Sequence, residues 1–181
     1  MTVESVYWKE QLSKISKALR PVDNPRRFSE RYVCETERDI TVGFFLLRRM
    51  IELQRVTCDI SEGQILAYRV PASRVANLLN RHRIEENYDW PAEKQTQLPI
   101  RSACNQFMHF YLLELSRGKN RNWVNAFVVS DFDRLKYVWR VPVATIAFLF
   151  DQASKSYPHS IRATYDSEKR DYSVEVDPKE T

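Results

Sequence analysis

Apolar residues recur every three or four positions in two stretches near the start of the chain. This spacing places them on one face of a helix. The first stretch predicts an amphipathic helix over about 6–19, which ends before Pro21 because proline cannot continue a helix. The second stretch, from Phe28 to about Arg55, contains no proline and predicts the longest helix of the protein. The apolar positions of this second helix are Tyr32, Ile40, Phe44, Leu47 and Ile51.

A third strong helix is predicted in the middle of the chain. The segment LPIRSACNQFMHFYLLELS predicts a helix from about Leu98 to Ser116, and Gly118 follows its end, as glycine often follows a helix. The preceding residues, about 57–97, give weaker patterns, and only a short helix over about 73–82 is indicated there.

After Gly118 the pattern changes from a helical period to strand-like segments. These segments are rich in β-branched and aromatic residues and are separated by polar turns, as in β-hairpins. A short helix is predicted between the two hairpins, and Pro142 suits its first turn. The expected elements are a hairpin of 123–129 with 137–141, a helix over about 143–153, a hairpin of 160–165 with 172–176, and a charged tail over 177–181.

Together these elements predict a mainly α fold, a helical bundle with a β-hairpin-rich C-terminal part (α+β). Residues 1–118 are expected to form the bundle core. Residues 119–181 are expected to form the hairpins and the short helix, packed on the same domain. A chain of 181 residues fits one compact domain that buries a substantial core.

The composition is that of a globular protein with a modest excess of positive charge. Hydrophobic residues make up 43% of the chain, charged residues make up 29%, and there are only three glycines. The net charge of +4, from 28 basic and 24 acidic residues, is compatible with a polyanionic partner such as RNA, but it is also common among cytoplasmic proteins.

The cysteines and the N-terminus indicate a reduced, cytoplasmic protein without a membrane segment. Cys34, Cys58 and Cys104 form no C-x-x-C pair, so neither a disulfide framework nor a zinc ribbon is indicated, and we expect no metal and no cofactor. The N-terminal residues alternate charged with apolar side chains, unlike a signal peptide. No apolar stretch approaches the ~20 residues that cross a bilayer.

The best candidate site lies on the third predicted helix. Arg101, Asn105 and His109 follow one another at intervals of four, so on a helix they form one contiguous polar strip. A guanidinium, an amide and an imidazole can bind a phosphate, orient it and move a proton near neutral pH. These are the requirements for RNA cleavage without a metal.

A structural role explains the same residues as well. A single histidine on an apolar helix is more often a hydrogen-bonded core residue than a catalyst, and Arg101 could pair with an acidic residue of the long helix. The chain contains no glycine-rich phosphate loop, no H-E-x-x-H and no G-x-S-x-G, so common nucleotide-dependent and hydrolase classes lack their signatures.

The segment from Asn105 to His109, preceded by an arginine, resembles the signature of HEPN proteins (higher eukaryotes and prokaryotes nucleotide-binding). The resemblance covers about ten residues. It implies a helical bundle, often dimerised so that two motifs face each other, and in many members metal-independent ribonuclease activity within toxin or antiviral defence systems.

The motif departs from the family pattern at one position. Cys104 stands where the pattern places an arginine directly before the asparagine, and Arg101 lies one turn earlier. A shifted arginine can still reach the same phosphate, and a binding-only protein fits the residues equally. The arrangement, with the later Ser130-Asp131-Phe132-Asp133-Arg134 turn, also resembles that of uncharacterised bacterial proteins.

Two function hypotheses follow from these observations. The first is an RNA-binding or RNA-cleaving protein in which His109 is the acid or base, Arg101 binds the phosphate and Asn105 orients either one, while Tyr111 or Trp123 stacks on a base. The second is a non-catalytic interaction protein, a homodimer or the ligand of another protein. A solvent-accessible groove around His109 would favour the first, and a buried, sealed His109 the second.

Overall fold

A computed structural model describes residues 3–168 and 170–176 of the chain. The described part contains six α-helices, one short 3-10 helix (Trp90–Ala92) and seven strands, joined by mostly short connections. The charged tail over 177–181 lies outside the described residues. The helices are α1 (Val3–Leu19), α2 (Glu30–Glu52), α3 (Cys58–Ser61), α4 (Ile84–Asn87), α5 (Ile100–Met108) and α6 (Val143–Lys155), and the strands are β1 (Gln64–Pro71), β2 (Lys94–Pro99), β3 (Phe110–Arg117), β4 (Trp123–Ser130), β5 (Tyr137–Pro142), β6 (Ile161–Asp166) and β7 (Asp171–Val176).

Several predicted elements are confirmed. The helices expected near the N-terminus are α1 and α2, and Ser29 caps α2 by accepting a hydrogen bond from the backbone N–H of Tyr32 at 3.2 Å. The helix after Pro142 is α6, and the two expected hairpins are β4–β5 and β6–β7. Each of these elements is formed by residues that are close together in the sequence, so the local pattern of apolar and polar residues is enough to predict it.

The mainly α fold class is wrong. The protein is an α+β structure built on a five-stranded antiparallel sheet in the order β2-β1-β5-β4-β3, and it is not a helical bundle. Three of these strands lie within the expected bundle region. The division at residue 118 falls between β3 and β4, which are paired neighbours in the sheet. The short helix expected over 73–82 is also wrong, because that segment forms turns.

The predicted helix over 98–116 is in fact a short helix followed by a strand. Helix α5 ends at Met108, and the next residues form β3, which pairs with β4. In β3, Leu112 packs on one face of the sheet while Leu113 and Leu115 pack toward the other. A strand covered on both faces reads as a continuous apolar run, which periodicity cannot distinguish from a buried helix.

The sheet separates two cores of different size. Helices α2, α5 and α6 cover one face, and α1 packs on α2 and α6. In this core Phe44 stacks on Phe107 with ring centroids 4.1 Å apart and meets Phe150 edge-on at 5.0 Å. Residues between β1 and β2, including Ile84 and Tyr88, cover the other face. No helix in the described ranges is long and apolar enough to cross a membrane.

Candidate functional site

Helix α5 lies against the sheet with one face in the main core. Ala103, Cys104 and Phe107 are fully buried there. The helix begins after Pro99, whose fixed φ suits this position and whose missing N–H costs nothing at a helix start. The opposite side carries Asn105, which is exposed. The burial of one face therefore decides which polar residues of α5 reach solvent.

His109 stands at the junction between α5 and β3. Its φ and ψ of −118° and 37° leave the helical region, and its N–H donates the closing hydrogen bond to the carbonyl of Asn105 at 3.1 Å. The chain turns here from helix to strand. The His109 side chain is exposed, so the histidine is neither buried nor sealed by the core.

An open cleft, which we call the α5 cleft, lies between α5, the turn after β4 and the start of β5. It has a volume of about 550 Å³. Its shape and size are those of a site for a small ligand or a single nucleotide unit. Its lining includes Ser102, Asn105, Gln106 and His109 from α5, Ser130, Phe132 and Asp133 around the turn, and Tyr137 and Trp139 from β5.

A buried hydrogen-bond network fixes one wall of this cleft. The Gln106 side chain accepts a 2.7 Å hydrogen bond from the backbone N–H of Ser130 and donates a 2.8 Å hydrogen bond to Asp133 Oδ2. Lys136 Nζ donates to Asp133 Oδ1 at 3.2 Å. The network joins α5 to the β4–β5 turn, so it holds the two sides of the cleft in a fixed relation.

Asp133 is an ionised carboxylate held by its neighbours. Burial opposes its ionisation, but hydrogen bonds from Gln106, Lys136 and Tyr137 outweigh that effect and hold the pKa of Asp133 below its usual value. Burial, and then the charge and hydrogen bond of Asp133, raise the pKa of Tyr137. Near neutral pH Asp133 therefore accepts hydrogen bonds, and Tyr137 stays protonated as a donor.

The three predicted site residues do not share one site. Asn105 and His109 line the α5 cleft together, as their spacing predicts. Arg101 does not line it, because Arg101 Nε donates to the carbonyl of Ser61 at the end of α3, 3.2 Å away. A different arginine, Arg48 of α2, donates to Asn105 Oδ1 at 3.3 Å.

The predicted stacking residues lie elsewhere. Tyr111 is on β3 and packs with the smaller core on the other face of the sheet, where the guanidinium groups of Arg81 and Arg134 lie 5.7 and 4.9 Å from its ring centroid. Trp123 is buried in the main core beside Tyr32. Neither aromatic residue lines the α5 cleft.

Cys104 is a core residue of α5. Burial raises the pKa of its thiol to about 12, so the thiol stays protonated near neutral pH. A protonated, buried thiol is a poor nucleophile and a poor metal ligand. Within residues 3–168 and 170–176, no group of three or more histidine, cysteine, aspartate or glutamate side chains is placed to hold a metal ion.

Of the eleven residues that line the cleft, nine are absent from the sequence-based site, and four of these show why. Gln106, Tyr137 and Trp139 belong to segments that read only as helix or strand, and Asp133 belongs to a segment that reads as a polar turn. One signal was present, since Asp131 and Asp133 flank an aromatic residue in that turn. The order of polar and apolar residues in this turn could not reveal that the Asp133 carboxylate is buried and the Asp131 carboxylate is exposed.

No family model, no curated protein and no solved structure matches this chain in the comparisons made.

Proposed function

We propose that the α5 cleft binds single-stranded RNA and takes up one unpaired base. The observation that carries this proposal is the lining of the cleft. Aromatic side chains of Phe132, Tyr137 and Trp139 stand beside the amide of Asn105 and the imidazole of His109. Proteins recognise unpaired RNA bases by stacking them on aromatic rings and by hydrogen-bonding their edges, and this lining offers both.

Cations around the cleft support a nucleic-acid ligand. Lys136 Nζ lies 4.0 Å from the Phe132 ring centroid, and the guanidinium of Arg69 lies 5.6 Å from that of Tyr137. Arg48 reaches Asn105. Phosphates that flank a bound base would meet these positive groups, and the net charge of +4 has the sign that steers RNA to the protein.

The geometry favours binding over cleavage. Arg101, the expected phosphate ligand, faces α3, and the Asp133 carboxylate already accepts hydrogen bonds from several neighbours. His109 is the imidazole of the cleft, and an imidazole can serve as a general acid or base. We include in this proposal a relation to HEPN proteins, and with it a role in toxin or antiviral defence. This part of the proposal is supported by the motif residues alone.

The proposal predicts that Phe132→Ala weakens RNA binding. Phe132 is 82% exposed, so its removal leaves the fold intact. Loss of one stacked base costs ~1–3 kcal/mol, which is about 5- to 150-fold in Kd. Fluorescence anisotropy with a labelled pool of single-stranded RNA measures the change. Phe148→Ala is the matched control, because Phe148 is 66% exposed on α6 and lies outside the cleft.

Two results would overturn binding at the cleft: wild-type protein that binds no RNA of the pool, or equal affinities for the Phe132→Ala and Phe148→Ala proteins. The same samples test cleavage. Products with 2′,3′-cyclic phosphate ends that disappear in His109→Ala, with a loss of ~100- to 10,000-fold in rate, would assign His109 as an acid or base.

An apolar end of the molecule favours a second candidate function, homodimerisation. Leu78 and Leu79 are 73% and 87% exposed, and their loop contacts the β4–β5 turn through a hydrogen bond from Arg134 to the carbonyl of Ala76. Phe107 of α5 is fully buried and is not part of this exposed surface. We call the exposed loop and turn the apolar end; its large apolar side chains outside the α5 cleft are Val75, Leu78, Leu79 and Leu135.

Two ion pairs within the chain lie near the apolar end. Arg74 pairs with Glu86 at 3.3 Å and Arg134 with Asp131 at 2.9 Å. The large apolar side chains of the apolar end, in contrast, are exposed to solvent. An isologous contact brings the same patch of two copies together, so a second copy of this chain offers a complementary apolar surface.

A further inference from the structure

A second cavity, which we call the Lys9 pocket, shares no lining residue with the α5 cleft. Its volume is about 200 Å³, smaller than typical pockets for drug-sized ligands. Three separate parts of the chain form it. Lys9 comes from α1, Gln54 and Arg55 follow α2, and Tyr157 and Pro158 follow α6.

Lys9 is the buried charge of this pocket. Only 3% of it is exposed, although lysine is almost never fully buried unless it is paired. Its Nζ donates to the backbone carbonyl of Ser156 and lies 3.5 Å from the Tyr157 ring centroid. A neutral carbonyl and a ring face hold the ammonium in place, but neither carries a negative charge to balance it.

The end of α2 directs Arg55 to the same pocket. Gln54 adopts a left-handed φ of 54°, and the N–H groups of Gln54 and Arg55 donate to the carbonyls of Ile51 and Met50 at 3.1 and 2.7 Å. This hydrogen-bond pair is the Schellman motif, in which glycine usually holds the left-handed position. The turn ends α2 and places Arg55 in the pocket lining.

Among the side chains that the structure describes within residues 3–168 and 170–176, neither cation has an anionic partner. No salt bridge of those ranges includes Lys9 or Arg55, and Arg55 Nε is buried without a hydrogen-bond partner there. Burial, and then the charge of Arg55, lower the pKa of Lys9 to about 8. At pH 7 Lys9 therefore stays mainly cationic beside the Arg55 guanidinium. Two like charges in a poorly solvated pocket repel each other, and an anion between them would remove that cost.

We propose that the Lys9 pocket binds a phosphate group, as inorganic phosphate or as a phosphate monoester. A guanidinium offers a planar fork of donors and an ammonium offers a point charge, and here they come from different elements of the fold. Donors on separate elements suit an anion whose oxygens point in several directions. The small volume admits the phosphate group and leaves little space for more.

Isothermal titration calorimetry with sodium phosphate at pH 7, in buffer of constant ionic strength, tests the proposal. We expect saturable binding to wild-type protein and at least tenfold weaker binding to Arg55→Gln. Lys9→Gln should weaken binding as well, but Lys9 also holds Ser156, so Arg55→Gln carries the test. Lys14→Gln is the matched control, because Lys14 is an exposed lysine of the same helix and should leave binding unchanged.

A titration with adenosine monophosphate identifies the source of the phosphate. Binding of both ligands, each weakened by Arg55→Gln, indicates a phosphate monoester site, and binding of inorganic phosphate alone indicates a free-phosphate site. No saturable heat with either ligand, or equal affinity in the Arg55→Gln and wild-type proteins, overturns the proposal. Phe132→Ala should bind phosphate normally, so this result is independent of RNA binding at the α5 cleft.

Discussion

At the scale of single residues, Asp133 couples the stability of the protein to the shape of its cleft. It is 8% exposed and receives hydrogen bonds from the Gln106 amide and the Lys136 ammonium. Asp131, two residues earlier, is exposed and pairs with Arg134 at the surface. The two carboxylates of one turn therefore differ in what their loss should cost.

Asp133→Asn should lower the free energy of unfolding by ~1–3 kcal/mol at pH 7, because it removes the charge that Lys136 pairs with and disturbs the acceptor of the buried Gln106 amide. Asp131→Asn should change it by less than ~1 kcal/mol, as expected for an exposed ion pair. Urea denaturation of the two variants and wild-type protein measures both differences. Equal losses in the two variants would contradict the role given to Asp133.

The stability contributed by Asp133 should depend on pH. The folded-state pKa lies below the usual aspartate value, so the contribution is present above the unfolded pKa, ~3.9, and is lost as pH falls through the folded pKa. The difference in the free energy of unfolding between wild-type protein and Asp133→Asn should therefore become smaller below about pH 4. A gap of the same size at pH 3 and pH 7 would argue against an ionised Asp133.

At the scale of elements, the approach of α2 to α6 depends on a residue without a side chain. A Cβ added at Gly43 would lie 2.5 Å from Phe150 Cζ, well inside van der Waals contact. The Phe150 ring is fully buried against Phe44, so it cannot move aside easily. Gly43 serves here to provide space.

Gly43→Ala should therefore destabilise the protein, although alanine favours helices. Overpacking costs ~1–3 kcal/mol and exceeds the ~1 kcal/mol that alanine gains over glycine in a helix. The clash should be relieved in a Phe150→Leu background, so Gly43→Ala should cost less there. A double-mutant cycle by urea denaturation measures this coupling. Additive losses would show that Phe150 is not the obstacle.

At the scale of the whole molecule, the apolar end is the surface through which we propose that two copies of the chain associate. We expect a homodimer at micromolar concentration by light scattering, and a monomer after Leu78→Ser combined with Leu79→Ser. Leu53→Ser is the control, since Leu53 is 42% exposed at the end of α2 and should leave the dimer intact. A wild-type monomer, or a dimer that survives the double substitution, would contradict the self-association proposal.

Of the candidate site, the sequence could predict only which residues of the single helix α5 lie next to each other. The spacing of four residues correctly placed Asn105 beside His109, because both belong to one turn at the end of α5. Arg101 does not line the cleft with them, because its hydrogen-bond partner is the carbonyl of Ser61, 40 residues away in sequence. Asp133 and Tyr137 enter the cleft through the pairing of β4 with β5 and the packing of α5, which no spacing within α5 reveals.

The sequence by itself determined the elements whose stabilising contacts lie within one segment. Helices α1, α2 and α6 and the two C-terminal hairpins follow from spacing, capping and turn residues. Only the tertiary structure decided the secondary structure of residues 110–117, because the backbone of a leucine-rich segment can form its hydrogen bonds equally well in a helix or in a strand. These residues form strand β3 because they pair with β4 across the turn. With β3 the sheet has five strands, so the protein is an α+β structure with a cleft beside α5 and not the predicted helical bundle.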